Sequence, residues 1–198
     1  MQIQWRNFRK IQYKSDTNAL DYQAIIEEIA QNKFLTHLLY ERVPYNEAKL
    51  IIIIDDSSSM LAFQRLATQI AENASKVTQT QVFYNRNLIS NNFIQKQKGK
   101  EDKIYKHEQF YKTYLHKASV LFISDLGAVK TSFSSYRITQ MAEIQAKMYE
   151  SSAKNIVCLN PMPRERWINC SAKFIAEKLT TLPAHEDGIK QAIYYLRG

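Results

Sequence analysis

The sequence predicts an α/β fold: a doubly wound, mostly parallel central sheet flanked by helices, Rossmann-like in architecture. Three observations predict it. Continuous apolar runs recur at residues 50–54, 119–123 and 156–159, and short runs without polar alternation read as strands buried on both faces. Segments with helical periodicity lie between and after them. Strands that alternate with helices are joined by crossovers, which makes the sheet largely parallel. With 198 residues, the chain is long enough for one domain with a sizeable core.

The elements follow in order. Residues 21–31 carry Ile25, Ile26 and Ile29 at helical spacing, with Asp21 as N-cap. Residues 34–43 are apolar enough for a strand, and Pro44 opens a turn. The central strand spans residues 48–54, and residues 61–76 form an amphipathic helix with Leu61, Leu66, Ile70 and Ala74 on or near one face. Residues 80–84 and 88–94 are strand candidates around Asn85-Arg86-Asn87, a possible hairpin. A basic loop follows, then an aromatic-rich helix over residues 104–116. After the strand at 119–123 come a long helix at 134–151, the strand at 155–160 stopped by Pro161, and closing helices at 170–179 and 188–196.

Composition narrows the class. Apolar residues make up 45% and charged residues 23%, ordinary for a globular protein. No apolar run approaches a membrane span, and the first residues lack the apolar stretch of a secretory signal. Cys158 and Cys170 make no disulfide framework. The expectation is a cytoplasmic protein without a membrane partner.

The chemistry concentrates where the central strand ends, at Asp55-Asp56-Ser57-Ser58-Ser59-Met60. Open α/β sheets bind ligands at the carboxyl ends of their strands. Aspartate and serine offer hard oxygens suited to Mg²⁺, Mn²⁺ or Ca²⁺. A second buried strand ends at Asp125. In a parallel sheet both carboxylates reach the same edge, on strands about 5 Å apart if they are neighbours. The candidate metal ligands are therefore Asp55, Ser57, Ser59 and Asp125. The competing reading is that Asp55 and the serines cap the next helix and that Asp125 is a turn residue. Asp56, between two ligand positions, is expected to point away and cap the helix.

The pattern Asp55-x-Ser57-x-Ser59 resembles the metal-ion-dependent adhesion site (MIDAS) of von Willebrand factor A (vWA) domains. Ser124-Asp125-Leu126-Gly127-Ala128 matches the later MIDAS aspartate. Leu159-Asn160-Pro161 resembles the same segment of CoxE-like vWA proteins, often encoded beside MoxR-type ATPases. The run from Leu159 to Trp167 and the ending from Gly188 to Gly198 are similar to vWA-like modules of multi-gene bacterial conflict systems. The resemblance implies a single vWA-like domain over residues 1–198, with residues 1–45 as an N-terminal extension holding a helix and an edge strand. It implies a non-catalytic protein–protein interaction module. A divalent cation would accept an acidic side chain of a partner, an ATPase or effector of the same system. One MIDAS element has no match: a threonine beside glycine in the loop between the two aspartate motifs. Gly99 is the only glycine there, with no threonine near it. Weak binding, completion by a partner and absence of the metal all stay open.

Other features carry alternatives. The net charge of +8 and the loop with Lys96, Lys98, Lys100 and Lys103 allow a nucleic-acid partner. Two strand-end aspartates also suit a metal-dependent phosphohydrolase or nuclease, although no general base stands out. Arg164, Arg166 and Trp167 follow a strand end and are residue types favoured at binding surfaces. The alternative packs Trp167 over the sheet edge. The four histidines are scattered and form no triad or zinc pattern with the cysteines. Cys158 is expected inside a buried strand.

Overall fold

The structure, a computed structural model, describes residues 2–32, 34–35 and 37–198. The chain divides into two compact units, Lys10–Glu47 and the remainder.

A short helix α1 (Gln2–Trp5) opens the larger unit. The smaller unit holds β1 (Ile11–Leu20), α2 (Tyr22–Asn32) and β2 (Tyr40–Asn46). Its strands pair antiparallel with an irregularity between Ser15 and Leu20. Asp21 Oδ1 accepts the Ala24 N–H at 3.0 Å, the cap that the sequence pattern predicts for α2. The strand expected at residues 34–43 runs later and passes through Pro44. Proline is tolerated there because a two-stranded ribbon consists only of edges. Thr36, within that expected strand, lies outside the described residues.

The larger unit continues with β3 (Lys49–Asp55), α3 (Gln64–Ser75), β4 (Gln79–Asn85), β5 (Asn92–Gln95), β6 (Lys103–Lys106) and α4 (His107–Tyr114). It ends with β7 (Ser119–Ile123), α5 (Ser135–Glu150), β8 (Ile156–Asn160), α6 (Ser171–Ala176), β9 (Thr181–Pro183) and α7 (Glu186–Arg197). The sheet order is β6-β5-β4-β3-β7-β8-β9. β4, β3, β7, β8 and β9 are mutually parallel, while β5 is antiparallel to both neighbours.

Period-two alternation sorts β3 between two cores. Ile51 and Ile53 join Val120, Phe122, Ile156 and Cys158 under α4, α5 and α6. Leu50, Ile52 and Ile54 join Leu121, Ile123, Val157 and Leu159 under α3 and α7. Two-faced burial explains the unbroken apolar runs. Trp5 and Phe8 close the second core.

β1 and β9 are strands that the sequence reading does not expect, and three boundaries of the larger unit also differ from it. The helix expected from residue 61 begins as a 3-10 turn, Ser58–Phe63, before α3. Residues 80–94 do form an antiparallel pair, but Leu88 sits in a 3-10 turn and β5 starts at Asn92. The aromatic helix starts at His107, because Ile104 and Tyr105 pair with β5 in β6. The lysines at both ends of β6, Lys103 and Lys106, suit an edge strand, where charge discourages further pairing.

Candidate functional site

Strand register builds the site. Asp55 lies level with Asn85. Ile54 pairs with Ile123, and Ile123 with Leu159, so Asp55, Ser124 and Asn160 follow on one line across the sheet. All four of these polar strand ends are buried, as is Asp125. Buried polar groups must find partners, and these find one another.

Asp55 is the post of the arrangement. Its Oδ1 accepts the backbone N–H of Ser57 at 3.0 Å and of Asn87 at 2.9 Å. Its Oδ2 accepts the Ser124 hydroxyl at 2.6 Å. Burial pushes its carboxyl above the ordinary range, while the Ser124 and Ser57 hydrogen bonds oppose that shift. Desolvation disfavours the ionised form, and donated hydrogen bonds favour it. Three of about four acceptor positions on this carboxylate are occupied. Its main role in the fold is to tie β3, the turn after β4 and the end of β7 together.

Ser57 is the N-cap of the 3-10 turn, yet its side chain makes no capping bond. Its hydroxyl instead lies 3.0 Å from that of Ser59. The Ser59 hydroxyl donates to Asp125 Oδ1 at 2.9 Å. Asp125 Oδ2 accepts the Val129 N–H at 3.0 Å, and Asn160 Nδ2 donates to the Asp125 carbonyl at 3.0 Å. The loop after β7 turns through Leu126 (φ 51°) and Gly127 (φ 90°). The chain Ser57–Ser59–Asp125 faces a cavity of about 230 Å³, which Arg86, Asn87, Lys130, Ser132 and Arg137 also line. Among the described residues, no threonine lines it; between the two aspartate motifs the lining residues beyond the serines are Arg86 and Asn87.

Octahedral Mg²⁺ holds oxygens at about 2.0–2.1 Å, so adjacent ligands stand about 3 Å apart. The Ser57–Ser59 and Ser59–Asp125 separations of 3.0 and 2.9 Å match that edge. Those two spacings suit neighbouring ligand positions along Ser57–Ser59–Asp125, and Asp55 lies outside the cavity lining. Among the described residues, no three His, Cys, Asp or Glu side chains gather as a metal cage. A cation here would rest on two hydroxyls and the Asp125 carboxylate.

The remaining expected residues stand apart from this group. Asp56 lies outside the cavity lining and meets Lys96 Nζ at 3.8 Å; it does not cap the 3-10 turn, whose N-cap is Ser57. Lys96 also sits 3.8 Å from the centroid of the Tyr84 ring. Lys98 and Lys100 flank Gly99 and are exposed, and Lys103 is exposed in β6. Trp167 is buried in the core, and its Nε1 donates to the Met162 carbonyl at 2.9 Å. Arg164 lies over the Trp167 ring at 5.9 Å, and Arg166 reaches the Val129 carbonyl at 3.4 Å. Cys158 is fully buried, which pushes its thiol up.

Sequence reasoning missed Ser124, Asn160, Arg86, Lys130 and Arg137. The first two carried a signal, since each is the polar residue that ends a buried apolar run. The three cations come from separate segments, the turn after β4, the loop after β7 and the start of α5, and leave no local pattern. In comparisons with family models, curated proteins and solved structures, nothing matches this chain.

Proposed function

We propose that this chain is a vWA-like, non-catalytic binding module. A divalent cation, Mg²⁺ or Mn²⁺, would be held by Ser57, Ser59 and Asp125, with Asp55 fixing the turn from behind. Its free positions would take an acidic group of a protein partner, in keeping with an ATPase or effector of a bacterial multi-gene system. One observation carries this reading: two hydroxyls and one carboxylate stand at octahedral-edge spacing, and the hydroxyl best placed to cap the turn is not used for capping. When bound, the cation supplies Lewis-acid attraction for an anionic oxygen. The chain's own residues supply the seat. Asp55 holds the Ser57 amide, Ser59 bridges to Asp125, and the Val129 amide fixes the far Asp125 oxygen.

Thermal unfolding with and without millimolar Mg²⁺ or Mn²⁺ tests it. A ligand that binds only the native state raises stability in proportion to log concentration once above Kd. The wild type should gain stability, and Asp125→Asn and Ser59→Ala should lose most of that gain. No gain in the wild type would remove the cation from the account.

A further inference from the structure

The cavity beside the Ser57–Ser59–Asp125 chain carries charge that the cation reading leaves unused. Arg86, Lys130 and Arg137 line it, against Asp125 as the only lining carboxylate among the described residues. Among the described residues, none of the three cations has a carboxylate within ion-pair distance. They come from the turn after β4, the loop after β7 and the start of α5, so the fold brings together what the sequence scatters. The cavity therefore holds three positive side chains and one negative one, before any metal is added.

Arg137 is built into place. Its backbone N–H is held by the Ser134 cap at 3.2 Å, and its Nη1 donates to Ser132 Oγ at 3.4 Å. The guanidinium lies over Gly127 where a Cβ would stand, so a side chain at 127 and this arginine position exclude each other. Gly127 thus serves two needs, a left-handed backbone and room for the guanidinium.

We infer that this cavity receives a phosphoryl group, gripped by Arg86, Lys130 and Arg137 and oriented by the serine hydroxyls. The inference deepens the binding-module reading and rests on it for the role of Asp125 and Ser59. The charge arithmetic separates phosphate from carboxylate. A phosphomonoester carries about −1.5 to −2 near neutral pH and three acceptor oxygens, close to the local excess of +2. A carboxylate carries one charge and two oxygens. Guanidinium groups also match phosphate oxygens in pairs. A bound divalent cation would enlarge the positive excess and widen the preference. At about 230 Å³ the cavity is smaller than the about 300–1,000 Å³ of pockets that enclose whole drug-sized ligands. It suits the phosphoryl head of a ligand whose body stays outside: a phosphorylated side chain of a partner, or the end of a nucleotide.

Amide NMR titrations of the full chain provide the test, each run in EDTA and in Mg²⁺. The probes are inorganic phosphate, acetate, a phosphoserine peptide, its serine and aspartate counterparts, and adenosine monophosphate. The expected result is saturable phosphate shifts at Ser58, Asn87, Gly127 and Lys130 in both conditions, tighter with Mg²⁺. Acetate should bind at least about tenfold more weakly. Arg137→Gln should weaken phosphate about tenfold or more, as expected on losing a charge-assisted hydrogen bond. Arg86→Gln, at an exposed position, gives a second variant that should fold normally and weaken binding in the same direction. The tighter of the phosphopeptide and the mononucleotide identifies the source, and either supports the inference. Equal response to acetate and phosphate overturns it. So does unchanged phosphate affinity in both arginine variants. Phosphate binding in EDTA with no added effect of Mg²⁺ supports the inference while counting against the cation. A Mg²⁺ response without phosphate binding does the opposite.

Discussion

Replacing Asp55 in two ways separates its role as a hydrogen-bonding post from its charge. Asp55→Ala removes the acceptor of two backbone amides, Ser57 and Asn87, and of the Ser124 hydroxyl. An orphaned buried donor costs about 1–3 kcal/mol. The two amides alone then cost about 2–6 kcal/mol. Removing a carboxylate whose charged form is disfavoured by burial returns part of that, leaving about 2–5 kcal/mol. For a chain of this size that lowers Tm by about 5–20 °C. Asp55→Asn keeps Oδ1 as acceptor for both amides, and its Nδ2 can donate to Ser124 Oγ. That variant should lie within about 1 kcal/mol of the wild type. Urea unfolding and calorimetry in EDTA measure both. Equal stability of the Ala and Asn variants would refute the post, because then no buried donor depends on this acceptor.

The same residue sets a pH dependence. Its native carboxyl pKa lies above the ordinary 3.8, so the folded state holds the proton more tightly than the unfolded chain. Its contribution to stability is present below that value and is lost as pH rises through the raised native pKa. In EDTA, wild-type stability relative to Asp55→Asn should fall across that window, and a difference that rises with pH would contradict the burial argument. The Tyr111 hydroxyl is buried without a hydrogen-bond partner among the described residues, so Tyr111→Phe should be neutral or stabilising by up to about 1 kcal/mol in a denaturant titration. Burial also pushes Tyr111 up to about 12, as it does Tyr114, so both phenols should ionise late in an alkaline absorbance titration, and stability linked to Tyr111 fades as pH climbs from 10 towards 12. A Cβ at Gly188 would run into the Pro183 carbonyl. Backbone cannot move aside as a side chain would, so Gly188→Ala should cost about 1–3 kcal/mol by the same titration.

How much could be read from residues alone depended on whether a signal was local. Residues 50–54, 119–123 and 156–159 announced their strands because burial on both faces leaves no polar alternation. β6 was hidden, since Ile104 and Tyr105 between lysines fit a solvent-facing helix as well as an edge strand. Trp5 was unreadable as core: its partners on the sheet are distant in sequence. At the site, Asp55, Ser57, Ser59 and Asp125 stood out as polar residues at the ends of apolar runs, and three of them form one hydrogen-bonded chain. Whether the serines cap or face a cavity is a rotamer question that spacing cannot answer. Arg86, Lys130 and Arg137 were invisible because their convergence is a product of sheet order. The closely spaced lysines of residues 96–103 drew attention instead, yet Lys96 is engaged with Asp56 and Tyr84.

The central claim is that Ser57, Ser59 and Asp125 form a seat for one divalent cation. Electron paramagnetic resonance of Mn²⁺ titrated into the full chain tests it most directly, because free Mn²⁺ is counted as it disappears. One Mn²⁺ should bind per chain, be displaced by Mg²⁺, and be lost in both Asp125→Asn and Ser59→Ala while Asp56→Asn still binds. No Mn²⁺ uptake by the wild type, or uptake unchanged in Asp125→Asn, would contradict it.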